Sequence, residues 1–302
     1  MQPLVELRRR IAATARRNAP PATADGLSVV SSERVAAPLV AVAEPMVAFV
    51  VQGAKRSVLG ERTFDYHAGQ YVVVSVDLPL TSQIIHASPA EPFQAVGMAL
   101  EPAIIAQLLL EAATPAAAYE GPAVAVSDAD EGLLEAVVRL LRLLDDPRDH
   151  QVLGPGVRRE IHWRLMNGPQ GAMVRQIGSA DSRMSLVARA VKWLRPRYNQ
   201  VIRMEDLAGH LGVSISSLNR HFRAVTAMSP LQYQKQLRLQ AARIALIAAP
   251  HDVATVGYSV GYDSPSQFSR EYRRMYGLPP AQDAARLQVE LDPGHGVHGV
   301  PT

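Results

Sequence analysis

The sequence predicts an α+β protein: a barrel of short strands with helices in its N-terminal half, followed by an all-helical C-terminal domain. Three observations carry this reading. Short apolar runs separated by Gly, Pro, Asp and Ser recur between Met46 and Leu100, the pattern of strands joined by turns. Beyond Asp128 the apolar residues return at helical spacing. Between Val201 and Gln282 two helix-turn-helix patterns follow one another.

Taken in order, Pro3–Asn18 is expected as an amphipathic helix. Strands are expected over Met46–Gln52, Arg62–Tyr66, Gln70–Val76, Gln83–His86 and Phe93–Leu100. Pro102–Glu111 turns helical. Asp128–Leu144 is a helix carrying Leu134, Val137, Val138, Leu141 and Leu144 on one broad stripe, with Glu135, Arg139 and Arg142 on other faces. The stripe either seals the open side of the barrel or forms a two-fold dimer interface in which the same residues meet across the axis. Residues 145–156 read as a loop, Val157–Asn167 as a helix, and 168–181, rich in small and turn-forming residues, as a linker. The expected domains are therefore 1–167, a linker over 168–181, a helical domain over 182–286, and a disordered tail over 287–302.

The two helix-turn-helix units align on Leu218/Phe222 and Phe268/Tyr272. In each, a short helix ends at a glycine (Gly212, Gly261) where the backbone must reverse. A capping serine follows (Ser214, Ser264), and Ser264, Pro265 and Gln267 make a capping box with proline at the first helical position. The second turn is one residue longer, since Ser264 lies three residues after its glycine and Ser214 two. Leu218, Phe222, Phe268 and Tyr272 read as core. Arg220 and Arg270, two residues after Leu218 and Phe268, project away from it, and arginine matches the O6/N7 edge of guanine with a two-pronged donor. The alternative for both is a phosphate contact or an ion pair within the protein. Arg223, Arg273 and Arg274 read as phosphate contacts or solvated charges.

The connector from Pro230 (PLQYQKQLRLQAARIALIA) places Leu231, Tyr233, Leu237, Ala241, Ile244 and Ile247 at helical spacing. A helix of that length spans about 28 Å, near the roughly 34 Å repeat of the major groove along one face of DNA.

These residues resemble the AraC/XylS family of bacterial transcription regulators over about Leu186–Gln282. The resemblance rests on LAGHLGVSISSLNRHF, SPLQYQKQLRLQAAR and VGYSVGYDSPSQFSREYRRMYGLPP. Two N-terminal stretches, DYHAGQYVVVSVDLPLTSQIIHASPAEPFQAVGMALEP and REIHWRLMNGPQGAMVRQI, resemble the sensor half of one subgroup of that family, a cupin-like β-barrel. The resemblance implies that Ser216, Ser217, Asn219, Arg220 and Arg223 of the first unit face DNA. It implies the same of Pro265, Ser266, Gln267, Ser269, Arg270 and Arg273 of the second. Ser216 and Pro265 are small or poor in donors, so little hydrogen-bond readout is expected there. The implied partners are promoter DNA, a small-molecule effector in the barrel, a second copy of the chain, and RNA polymerase if the protein is an activator.

Composition bounds the alternatives. Residues 180–286 hold 15 basic and 7 acidic side chains, a net of +8, whereas residues 1–179 hold 16 and 19, a net of −3. A basic module suits phosphate neutralisation. There is no cysteine, hence no disulfide or thiolate metal site. No His-x-His occurs beside His67 and His86, and Asp65, His67 and Ser75 lack a nucleophile elbow, so no metal, cofactor or enzymatic activity is expected. No apolar run is long enough for a membrane span and the N-terminus lacks the apolar core of a secretory signal, so a cytoplasmic location is expected. The competing reading is a cupin-type enzyme or binding protein with an ancillary DNA module. A third is an architectural DNA binder with no ligand.

Overall fold

The structure is a computed structural model that describes residues 2–16, 26–112, 119–180, 182–248 and 252–291. In chain order its elements are α1 (Gln2–Arg16), β1 (Leu27–Ser32), β2 (Leu39–Ala43), β3 (Met46–Gln52), β4 (Ala54–Leu59), β5 (Arg62–His67), β6 (Gln70–Val74), β7 (Leu78–His86), β8 (Phe93–Ala99), α2 (Pro102–Glu111), β9 (Val124–Asp128), α3 (Glu131–Leu143), α4 (Pro147–Asn167), α5 (Gly171–Ile177), α6 (Arg183–Leu194), α7 (Met204–Leu211), α8 (Ile215–Thr226), α9 (Pro230–Ala248), α10 (Val253–Ser259), α11 (Pro265–Tyr276) and α12 (Pro280–Leu291). The chain divides into two compact units, residues 1–191 with 211–229, and residues 192–210 with 230–302.

The strands of the first unit pair antiparallel in two sheets, in the orders β1-β8-β3-β6-β9 and β2-β7-β4-β5. Antiparallel register decides which residues share a face. In the first sheet Val47, Phe49, Tyr71, Val73, Val96 and Met98 lie on one face and are at most 2% exposed. This is the face covered by helices: α1 packs on β1, β3 and β8 through Leu7 and Ile11, both fully buried. Ser28, Ala48, Val50, Val72, Val74, Ala95 and Gly97 share the opposite face, toward the second sheet. In that second sheet the Arg56–Asp65 ion pair at 2.6 Å marks the outward face. Lys55, Ser57, Leu59, Phe64, Tyr66, Leu80, Ser82 and Ile84 alternate with it and point inward.

Several elements differ from expectation. The strands β1, β2, β4 and β9 were not expected. The residues 145–156, expected as a loop, form the first half of the 21-residue α4. Asp146 caps α4 by accepting from Arg148 N at 2.8 Å, and Pro147 sits where a helix tolerates proline. The expected linker 168–181 contains α5, whose Met173 and Val174 are fully buried. Residues 211–229, inside the expected 182–286 domain, group with the barrel unit. The helix expected over Pro3–Asn18 is described to Arg16, and the expected disordered tail begins inside α12, with 292–302 outside the described residues.

The stripe of α3, expected either to seal the barrel or to form a dimer interface, is covered within one chain. Leu134, Val137, Val138 and Leu141 are 1–7% exposed within one chain, because α3 packs between α4 and α1. Leu144 is half-buried at the helix end. Two helices of the same chain cover the stripe.

Candidate nucleic-acid interface

Two helices carry the candidate DNA-facing residues, and local sequence explains both. α7 stops at Gly212, which takes a positive φ of 70°. Ser214 then caps α8, accepting from Ser217 N at 3.2 Å. In the second unit Gly261 has φ 93°, and a Cβ there would stand 2.2 Å from the Asn199 carbonyl oxygen, so both conformation and space demand glycine. Ser264 caps α11 from Gln267 N at 3.3 Å, with Pro265 at the first position. The two helices end differently. Gly277 closes α11 in the left-handed conformation, whereas Ala227 closes α8 with the same handedness at φ 59°.

Both helices split cleanly into a buried and an open face. Leu218, Phe222, Phe268 and Tyr272 are fully buried. Ser216, Arg220 and Arg223 lie exposed at i, i+4, i+7 on α8, and Ser266, Arg270 and Arg273 repeat that spacing on α11. Gln267 is exposed too, and donates to Glu271 at 3.3 Å. Ser217, Asn219, Pro265 and Ser269 are half-buried at the edges of these faces. Among the described residues Arg220, Arg223, Arg270 and Arg273 make no ion pair, whereas Arg10, Arg56, Arg139, Arg142 and Arg243 all rest on carboxylates. Each recognition helix thus offers two guanidiniums whose donors the protein leaves unspent.

The supports of α11 were not foreseen from sequence. Arg238 of α9 donates to the carbonyls of Tyr198 at 2.8 Å, Gln200 at 2.8 Å and Gly261 at 2.6 Å, fixing the turn before α11. Glu271 accepts from Lys235 and from the Tyr262 hydroxyl, both at 2.9 Å. Burial alone would raise the Glu271 carboxyl, but these donors outweigh it and hold it below its ordinary range. Deeper, Asp283 of α12 is fully buried and accepts from Arg243 at 2.8 Å, Arg286 at 2.8 Å and the Tyr272 hydroxyl at 3.0 Å. A helical pattern such as LRLQAAR marks Arg238 and Arg243 only as polar interruptions, so nothing local distinguishes a clamp from a solvated charge.

The base of α8 is held by the barrel unit. Ala123 N, just before β9, donates to the Val225 carbonyl at 3.0 Å, and the Ala123 carbonyl in turn accepts from Ser75 N at 2.9 Å.

Two glycine-turned, serine-capped helices with open arginines, in a chain that also carries a β-rich unit, are the features of a helix-turn-helix protein. Comparison with known proteins agrees. Residues 23–173 match the family described as AraC-type transcriptional regulator N-terminus, and residues 207–286 match the helix-turn-helix domain family. The chain belongs to the AraC family of transcriptional regulators. It is 24% identical to the transcriptional activator RhaS of Escherichia fergusonii over 155 residues, 51% of this chain and 55% of that one. It is 26% identical to the transcriptional regulator ArgR of Pseudomonas aeruginosa over 147 residues, 48% of this chain and 44% of that one. The chain spans about half the length of the curated relatives it matches. The fold is similar to that of ToxT from Vibrio cholerae O395, with TM-score 0.55 and 9% identity, over 86% of this chain and 97% of that one. Another matched ToxT structure is of the protein bound to an unsaturated fatty acid. Among the described residues no helix is long and apolar enough to cross a membrane.

Proposed function

We propose that this chain is a sequence-specific regulator that binds promoter DNA through α8 and α11 under the control of a small molecule held in the barrel. The observation that carries the reading is the repeated exposed face, Ser216/Arg220/Arg223 and Ser266/Arg270/Arg273, with arginines that no carboxylate among the described residues occupies. Arg220 and Arg270 read base edges, and Arg223 and Arg273 hold phosphates. The effector reading draws on the fatty-acid complex of ToxT and on a barrel whose inner face is partly open to solvent at Ser28, Val30 and Ala48. The bonds from Ser75 through Ala123 to Val225 give the barrel a direct grip on α8. The protein acts in the cytoplasm, without enzymatic activity, as a homodimer, and engages RNA polymerase where it activates. The dimer surface lies outside the buried α3 stripe.

The test is a titration of the full chain on DNA from its own upstream region, with a reporter driven by that region and a small-molecule panel. Binding that falls linearly in log–log form with salt is expected. A folded chain that binds no DNA at low salt overturns the reading. A reporter that follows protein level and ignores every compound removes the effector and leaves an architectural binder.

A further inference from the structure

The second recognition helix carries a side chain that is held at both ends. Gln267 is the third residue of α11, in the first turn, where a recognition helix meets base edges. Its backbone N–H is taken by the Ser264 cap at 3.3 Å. Its side-chain Nε2 donates to Glu271 Oε1, one turn on, also at 3.3 Å. An exposed pair at this spacing adds little stability. What sets this one apart is that its acceptor is a fixed point. Glu271 is only 13% exposed, takes the Lys235 amine at 2.9 Å on the same oxygen, and takes the Tyr262 hydroxyl at 2.9 Å on the other. Tyr262 is itself buried, with its ring 5.3 Å from that of Phe268. The first unit has no such pair. With Leu218 aligned on Phe268, Ser217 and His221 stand where Gln267 and Glu271 stand.

Hydrogen-bond chemistry fixes which way the Gln267 amide points. Burial would raise the Glu271 carboxyl, but the bonds from Lys235, Tyr262 and Gln267 hold it ionised, below its ordinary range. A carboxylate only accepts, so the amide nitrogen, and not the amide oxygen, must face it. A primary amide has two N–H donors and one carbonyl acceptor. With one N–H spent on Glu271, Gln267 keeps one donor and one acceptor. Adenine shows the complement in the major groove, an N7 acceptor beside an N6 amine. Guanine shows two acceptors, N7 and O6, and a two-donor match to it needs the N–H that Glu271 holds. Arg270, three residues along and exposed, supplies the two-donor fork instead.

We infer that Gln267 reads an adenine in the major groove, and that Glu271 is the positioning residue that sets this choice over guanine. This rests on the reading that α11 faces DNA, and adds the base selected and the residue that enforces the selection.

The test is selection of preferred duplexes from a random library by the full chain and its variants. Gln267→Ala is expected to erase preference at one base pair, where the parent favours adenine over guanine roughly tenfold. Glu271→Ala or, if that chain does not fold, Glu271→Met is expected to bring adenine and guanine within about threefold there, with preferences at the other positions kept. Glu271→Gln keeps an oxygen for the amide and should retain most of the parental preference. A merely structural role for Glu271 would weaken all positions alike. The amide's two contacts are checked on the parent chain with altered DNA. Replacing that adenine by 7-deazaadenine, which lacks the N7 acceptor, or by purine, which lacks the N6 amine, should each weaken binding about fivefold, and neither should affect Gln267→Ala. The assignment is overturned if Gln267→Ala changes no position, if the base it frees is not adenine, if the altered bases bind as adenine does, or if the Glu271 variants keep the full preference or flatten every position. In each of these cases a preferred sequence still stands for DNA reading by the chain. A folded chain that selects no sequence removes that reading and this assignment together.

Discussion

At the scale of single residues, the two arginines of α8 have different work. Arg220 lies two residues beyond the buried Leu218, at the centre of the exposed face, while Arg223 lies a turn further at its margin. A central guanidinium reaches base edges and a marginal one reaches the backbone. Arg220→Ala should therefore cost about 1–3 kcal/mol on the cognate site and relax preference at one base position. Arg223→Ala should weaken all sequences alike and lower the salt slope by about one. Paired titrations on cognate and random duplexes check this; equal losses for Arg220→Ala on both would remove it from base reading. The same scale shows where sequence reading stops. Arg220 was legible because helical spacing from a core leucine fixes its direction. Lys55 was not, because a strand residue faces in or out according to a register that a one-residue slip inverts.

At the scale of elements, the caps of the two recognition helices make a matched comparison. Both end in the left-handed conformation, but Gly277 adopts it freely and Ala227 does not, since a Cβ there costs roughly 1–2 kcal/mol. Ala227→Gly should then raise the stability of the barrel unit by up to about 1 kcal/mol, after the extra chain entropy of glycine is subtracted. Gly277→Ala should lower that of the other unit by a similar amount. Chemical denaturation of each variant decides, and no change in either would mean the caps relax. Helix α3 gives a second case. With Leu141 at 4% exposure between two helices, Leu141→Glu buries an unpaired carboxylate and should cost several kcal/mol, yielding an unfolded or insoluble barrel unit. A folded monomer from a parental dimer would instead return the stripe to the interface. The stripe's period was legible, but its occupant was not, because α1 and the first half of α4 come from distant or misread segments. Residues 145–156 looked like a loop since Pro147, Gly154, Pro155 and Gly156 punctuate them. Asp146 and Pro147 in fact start a helix, and Gly154 packs against His150 where a Cβ would make ordinary 3.5 Å contact. β4 was missed because AKRSVL carries two cations, and β9 because a five-residue strand barely shows an alternation.

At the scale of the whole chain, the two units hold buried titratable groups of opposite kinds, and acid should act on them in sequence. In the barrel unit His162 of α4 is fully buried between backbone partners: its Nε2 accepts from Glu101 N at 3.0 Å, and its Nδ1 lies 2.8 Å from the Arg158 carbonyl. That arrangement holds a neutral ring, and burial depresses its pKa below the ordinary 6.5. The unfolded chain therefore takes up this proton first. The stability His162 contributes is intact above pH 6.5 and falls below it, by at most about 1.4 kcal/mol per pH unit, until the folded pKa is passed. In the second unit burial would raise Asp283, but Arg243 and Arg286 hold it below 3.8, so its contribution persists until the pH falls through that range. Calorimetry between pH 7 and 4 should show the barrel unit's transition moving down in temperature while that of the second unit moves less. His162→Gln should flatten the barrel's dependence over pH 6.5–5 even though it lowers stability at pH 7. A barrel transition in the parent that ignores pH across that window, or one that still shifts equally in His162→Gln, would place the acid sensitivity on another group.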